Sequence, residues 1–210
     1  MSALSRWFKR SSDAAETPSR GVTNWRKEVE TLESEAERAA LPFRGTPLNR
    51  AGDLCLRAGE REMALGYYGR AIDAFLEDGQ REAARGVANK IIRVHPGAIR
   101  TLCTLTWLDL AARHMATALL HVRDYVEAAK KGGVERITAE QIHAMAEVMP
   151  QEEFLGAAAD ALDHLGWSDW AAQVRDWSKS GGSPHRIEDP EELATYCLHA
   201  AVGANLKNNG

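Results

Sequence analysis

The chain has few cysteines, no long apolar run and no large excess of either charge. Its 210 residues include three cysteines without a CxxC pair, which excludes a disulfide scaffold and a cysteine-rich zinc site. No uncharged apolar run approaches the roughly 18 residues of a membrane span, and the N-terminus lacks the apolar core of a signal peptide. A formal net charge of −4 gives no overall reason to bind nucleic acid. These absences favour a soluble protein of a reducing cytoplasm.

Charge is unevenly distributed along the chain. Residues 80–131 carry nine basic and four acidic side chains, whereas residues 132–210 carry five basic and thirteen acidic ones. Such asymmetry can produce a local surface field. The basic segment could attract an acidic partner. It could instead pair with the acidic C-terminal region, within the same chain or in a second copy of it. The third interpretation is that these charges only solvate the helix surfaces.

Helix boundaries recur from residue 23 onward, whereas the apolar–polar alternation that indicates a strand is absent. Thr46 is predicted to cap a helix that has Pro47 at its first position. Thr138 and Asp189 each begin a capping box. Amphipathic helices joined by short turns must bury their apolar faces on their neighbours. The predicted fold class is therefore all-α, an array of antiparallel helical hairpins with a C-terminal helical extension.

The same boundaries divide the chain into five parts. Residues 1–22 are polar and interrupted by Pro and Gly, and are predicted to be a flexible arm. Residues 23–133 are assigned to the helical array, and residues 134–179 either continue it or cap it. A Gly- and Ser-containing linker at 180–188 precedes a C-terminal helix and tail at 189–210.

Small and apolar residues recur with a characteristic spacing. The pattern consists of Leu48, Gly52, Ala64, Tyr68 and Ala71, and 34 residues later of Gly86, Ala98, Leu102 and Leu105. It resembles the tetratricopeptide repeat (TPR), which implies an α-solenoid in which a small residue of the first helix packs closely against the second. The resemblance covers about residues 45–112. The second copy departs at Leu105, where an Ala is expected, and at the Pro96-Gly97 turn.

The resemblance implies a protein-binding scaffold whose concave surface is lined by the first helix of each pair. We expect a peptide or helix of a partner to bind there, and the basic middle of the chain favours an acidic one. The groove is predicted to involve Asn49, Asp53, Arg57, Arg85, Val87 and Lys90. Some TPR domains grip a C-terminal carboxylate with matched Lys and Asn residues. This chain has Asn49 and Lys90 but not the full set, so carboxylate capture is not predicted.

Three tryptophans share one face of a predicted short helix. Trp167, Trp170 and Trp177 lie on this stripe. Tryptophan is enriched in binding hot spots, so the stripe is a candidate contact for a partner. The alternative is that it docks the helix onto its own core.

Chemistry-bearing residues do not form a recognisable catalytic or metal site. His114, His121 and Asp124 share a helical face, but zinc sites need three or four convergent ligands at close range. Asp160 and His164 have the spacing of an ordinary surface pair. No Gly-rich phosphate loop is present. We therefore expect a protein that is not an enzyme and has no metal or cofactor.

Two alternative functions remain open. The basic segment 80–131 is compatible with a nucleic-acid-associated regulator, although nucleic-acid binding would require its charges to converge on one face. Leu4, Trp7 and Phe8 form an amphipathic turn among basic residues, which is compatible with weak membrane contact by a peripheral assembly factor.

Overall fold

Residues 24–206, the part of the chain that the computed structural model describes, form ten α-helices. The predicted arm with Leu4, Trp7 and Phe8 lies outside these residues. Within 24–206, none of the helices is long and apolar enough to cross a membrane. The helices are α1 (Asn24–Arg38), α2 (Leu41–Arg57), α3 (Arg61–Glu77), α4 (Arg81–Val94), α5 (Ile99–Ala111), α6 (Met115–Gly132), α7 (Glu135–Val148), α8 (Glu152–His164), α9 (Ser168–Ser180) and α10 (Pro190–Leu206).

Contacts between alternate helices arrange the protein in two rows. The odd row contains α1, α3, α5, α7 and α9, and the even row contains α2, α4, α6 and α8. The odd row is joined by Glu33–Tyr67, Asp73–Arg100, Trp107–Gln141 and His143–Gln173, and the even row by Asn49–Lys90 and Glu127–His164. Neighbouring helices also pack on one another along the chain. The predicted all-α helical array is confirmed.

Helix α5 lies at the centre of the core. All residues from Thr101 to Ala111 are buried, and Trp107 is only 1% exposed. A helix that is apolar on every side must be covered on every side. Helices α4, α6 and α10 provide this cover.

The C-terminal helix α10 folds back onto the middle of the odd row. It packs along α5 and also touches α3, and it buries Leu193, Cys197 and Ala201, which are spaced one turn apart. Asp189 Oδ1 accepts hydrogen bonds from the backbone N–H groups of Glu191 at 3.0 Å and Glu192 at 2.8 Å, which confirms the predicted N-cap. This helix covers the array from the side instead of extending it.

The segment that leads to α10 is tied to the array. The Ile187 N–H donates to the carbonyl of Val148 at the end of α7, at 3.0 Å. Ser183 is fully buried, and its hydroxyl accepts a hydrogen bond from the His185 N–H. These contacts set where α10 meets the odd row.

Two predicted helix starts are wrong. Helix α2 begins at Leu41 with Pro42 in its first turn, so Pro47 lies inside the helix and Thr46 is not its cap. Helix α7 begins at Glu135, and Thr138 is fully buried instead of capping it. A Thr or Pro signal marks a possible helix start, but packing selects among the possible starts.

The glycine of the first repeat marks a close contact between α2 and α3. A Cβ atom at Gly52 would lie 2.6 Å from the Tyr68 ring, and the ring is fully buried. A small residue is therefore required there, although it faces the aromatic ring and not Ala64. The equivalent Gly86 of α4 is exposed, and a Cβ atom there would have no neighbouring atom within 4 Å. The second pair thus lacks the tight crossing.

We expect Gly52→Ala to lower the free energy of unfolding by about 1–3 kcal/mol, because the buried ring has little room to move. Gly86→Ala is the matched control, and should raise it by up to about 1 kcal/mol, since alanine favours an exposed helix interior. Urea denaturation of both variants measures the difference. Equal effects of the two substitutions would contradict the close crossing.

Candidate interaction surface

A polar cluster joins two neighbouring helices of the even row. Lys90 Nζ of α4 donates to Asn49 Oδ1 at 2.9 Å and to the two carboxylate oxygens of Asp53 at 2.6 and 2.9 Å. The Tyr68 hydroxyl donates to Asp53 Oδ1 at 2.7 Å. The structure therefore brings together three of the predicted groove residues, Asn49, Asp53 and Lys90. We call these three residues and Tyr68 the Lys90 cluster.

The Lys90 cluster is internally compensated in charge. Partial burial acts to raise the pKa of Asp53, but hydrogen bonds from Lys90 and Tyr68 outweigh it and hold that pKa below its ordinary value. Burial, reinforced by Asp53, raises the pKa of Tyr68. Lys90 Nζ also lies 5.4 Å from the centroid of the Tyr68 ring. Asp53 thus already occupies the Lys90 ammonium group, which would otherwise be free to bind a carboxylate of a ligand.

The other three predicted groove residues lie apart from the cluster. Arg57 is exposed at the end of α2. Val87 is 4% exposed and belongs to the core, so a partner cannot reach it. Arg85 points towards a buried carboxylate of α5. Of these three side chains, only Arg57 is freely accessible.

A buried ionic cluster connects α4, α5 and α6. Asp109 is completely buried, with Arg85 Nε 2.9 Å from its Oδ1 and His121 Nδ1 2.7 Å from its Oδ2. His114 Nδ1 is 3.9 Å from Oδ1. A buried carboxylate is tolerated only when it is paired in this way. Helical periodicity places His121 on one face with Asp124, but the carboxylate that His121 contacts is that of Asp109. The only sequence signal for Asp109 is its position inside the most apolar segment.

The His and Asp residues singled out in the sequence do not form a metal site in the described part of the chain. Residues 24–206 contain no group of three or more His, Cys, Asp or Glu side chains positioned to hold a metal ion. Asp160 pairs with Arg175 at 3.2 Å, and His164 Nε2 lies 3.5 Å from Glu127. Asp160 and His164 therefore each interact with another helix.

The tryptophans of the predicted stripe form an aromatic cluster with a histidine of α7. Trp167 and Trp170 stack with their ring centroids 4.6 Å apart. The His143 ring lies 4.9 Å from that of Trp170 and 5.2 Å from that of Trp177. All four side chains are half-buried, and the three tryptophans pack against the core. The stripe therefore docks α9 and still presents part of its surface; His143 was missed because it belongs to another helix.

Asp109→Asn should lower the free energy of unfolding by about 3 kcal/mol or more, because it removes the buried charge that compensates Arg85 and disturbs the contact with His121. Asp124→Asn is the control, since Asp124 pairs with Arg123 on an exposed surface; its effect should stay below about 1 kcal/mol. Urea denaturation at neutral pH measures both. Similar losses would show that the buried cluster has no special role.

Lys90→Met should raise the pKa of Asp53, because the hydrogen bonds and the positive charge of the lysine hold it down. A carboxylate with a lowered pKa in the folded state stabilises the fold above its unfolded pKa. That contribution is lost as the pH falls through the folded value. The variant should therefore be less stable than the parent at pH 7, by less than about 1 kcal/mol for this partly exposed pair.

The difference in stability should shrink as the pH falls through the folded-state pKa of Asp53, which lies below the ordinary value of an aspartate. Carboxyl-resolved NMR titration gives the pKa of Asp53, and urea denaturation at each pH gives the stability. Lys131→Met, at an exposed lysine of α6, is the control. An unchanged pKa of Asp53 would show that the contact does not persist in solution.

Comparison with known proteins identifies no relative of this chain. No protein-family model matches it, and no curated protein and no solved structure is significantly similar. The architecture of packed neighbouring helices is therefore shown by the structure of this chain alone.

Proposed function

We propose that this chain is a non-catalytic, TPR-like scaffold that binds a peptide or helix of a protein partner on its even row. The observation that carries the proposal is the Lys90 cluster, in which α2 and α4 place polar side chains side by side. In helical-repeat proteins the first helices of successive pairs line the binding surface. Helices α2 and α4 hold that position in the two hairpins covered by the resemblance.

The accessibility of this surface supports the proposal. Helix α10 packs on the odd row, against α5 and α3. Within residues 24–206, only chain neighbours pack extensively against α2 and α4. The side chains of Lys90 and Asp53 keep about a third of their surface exposed, at 33% and 37%. A partner would meet polar groups already held in one geometry, which reduces the entropy lost on binding.

The charges beside the cluster favour an acidic segment as the partner. Arg57 lies one turn beyond Asp53 on α2, and Arg93 lies about one turn beyond Lys90 on α4. Both arginines are exposed. Because Asp53 neutralises Lys90, these two residues supply the available positive charge. Charges at the edge of an interface mainly increase the association rate and the specificity.

No specific observation favours the two alternative functions. In the basic segment, Arg85 pairs with Asp109 and Lys90 with Asp53, while Arg100 lies 3.0 Å from Asp73. These pairs withdraw charge from a nucleic-acid surface. The turn proposed to contact a membrane lies outside the described residues. A cytoplasmic location likewise stays a prediction.

Site-specific photo-cross-linking in the native cells tests the proposal. A photo-cross-linking amino acid is placed at Arg57 or Arg93 on the even row, and, as controls, at the exposed Glu28 of α1 or Glu62 of α3 on the odd row. We expect a discrete cross-linked protein from the even-row positions only. Mass spectrometry then identifies it.

The purified partner should bind Arg57→Glu/Arg93→Glu about tenfold more weakly than the parent, whereas Glu28→Lys/Glu62→Lys should bind normally. Cross-links that arise equally from both rows, or from the odd row alone, would overturn the even-row assignment. Nucleic acid as the only cross-linked species would favour the regulator alternative.

A further inference from the structure

The odd row carries a second surface, at the α7–α9 end of the array. It consists of Trp167, Trp170, Trp177 and His143, which we call the aromatic strip. Of the Lys90 cluster, Asn49, Asp53 and Lys90 lie on α2 and α4 of the even row, so the two surfaces are presented by different rows. Each member of the strip is half-buried, so each packs against the protein and keeps part of its surface accessible.

Ring geometry leaves the strip suited to a flat or cationic group. Trp167 and Trp170 are nearly parallel, with 22° between their planes. His143 Nε2 lies 3.0 Å from Gln173 Oε1, which fixes the imidazole between Trp170 and Trp177. The faces of indole rings are electron-rich and attract cations, most strongly for tryptophan. Three half-exposed indoles in one cluster therefore provide a recognition surface for a positive group.

Carboxylates border the strip on α7. Glu140 and Glu147 lie about one turn before and after His143. Their nearest basic partners are 3.8 Å away for Glu140 and 3.9 Å away for Glu147, which is too long for a hydrogen bond. Their oxygens can therefore accept closer donors. The surrounding region is acidic as a whole, because residues 132–206 carry four basic and thirteen acidic side chains.

The same row already binds a helix beside the end of α7. Helix α10 lies on α5 and α3, and its Tyr196 is 42% exposed, with a ring centroid 6.1 Å from that of Trp107. The segment that leads to α10 contacts the end of α7, because the Ile187 N–H donates to the Val148 carbonyl at 3.0 Å and His185 Nε2 lies 3.9 Å from Glu147. Glu147 therefore lies between this segment and His143 along α7.

We propose that the aromatic strip binds an arginine-containing basic segment of a protein partner. A guanidinium group stacks on Trp170 or Trp177 and donates hydrogen bonds to Glu140 or Glu147. Arginine fits better than lysine, because its planar group stacks on rings and donates to a carboxylate at the same time. The proposal does not depend on the even-row function.

Calorimetric titration of the full chain with blocked hexa-arginine, hexa-lysine and hexa-glutamate peptides at physiological salt tests the proposal. We expect hexa-arginine to bind at least about threefold more tightly than hexa-lysine, and hexa-glutamate not to bind. Glu140→Gln/Glu147→Gln should weaken hexa-arginine binding about tenfold. The matched control is Glu28→Gln/Glu30→Gln, at two exposed glutamates of α1, which should bind as the parent does.

A tryptophan substitution supplies a separate readout. Trp170→Leu should remove the preference for arginine over lysine, whereas Trp25→Leu, at a half-buried tryptophan of α1, should keep it. Circular dichroism verifies that each variant is folded, and the glutamine variants test the site even if Trp170→Leu unfolds.

Three outcomes would each overturn the proposal: equal losses of affinity from the two glutamate pairs, equal affinity for the two basic peptides, or no binding. Arg57→Glu/Arg93→Glu should leave this binding unreduced, which separates it from the even-row function.

Discussion

The complete burial of α5 is the constraint on which the rest of the structure depends. Eleven consecutive residues of this helix, from Thr101 to Ala111, are covered, so the fold must provide neighbours on every side. Two of them, α4 and α6, are adjacent in the chain, but the third is α10, which returns from the C-terminus. Asp109 adds a second requirement, because its buried carboxylate must be paired inside the protein. Arg85 and His121 contact its two oxygens and so connect α4 and α6 to the central helix.

Because α10 packs on α5 and α3, the outer surface of the odd row is partly covered, whereas that of the even row is not covered by α10. The odd row uses part of its outer surface to hold α10 through Leu193, Cys197 and Ala201. The even row keeps the Lys90 cluster at the α2–α4 junction, partly open to solvent. Arg85 and Lys90 both lie on α4, but Arg85 pairs with the buried Asp109, whereas Lys90 belongs to the partly exposed cluster. The surfaces proposed for partners are those that the central packing leaves accessible.

Sequence signals predicted structure correctly where the interacting residues are close in the chain. They failed where the contact joins residues that are distant in the chain. Asp189 caps its helix as expected, because the side chain bonds to N–H groups two and three residues away. Thr138 carries a similar signal, but its burial against the array overrides it. The pairing of Asp109 with His121 and the meeting of His143 with the tryptophans both join residues from different helices. Helical periodicity assigns each of these residues to one face of its own helix. Which helix packs against that face depends on the whole fold.

The departure of the second repeat from the first has a physical cause that shapes the candidate surface. The 34-residue period would end α4 at Ile91, in register with Arg57 of α2, but α4 continues to Val94. Pro96 then forces a longer turn before α5 starts. The guanidinium of Arg61, at the start of α3, donates to the Val94 carbonyl and holds this additional turn. The same turn carries Arg93, so the irregularity that weakens the repeat also adds a positive charge beside the Lys90 cluster.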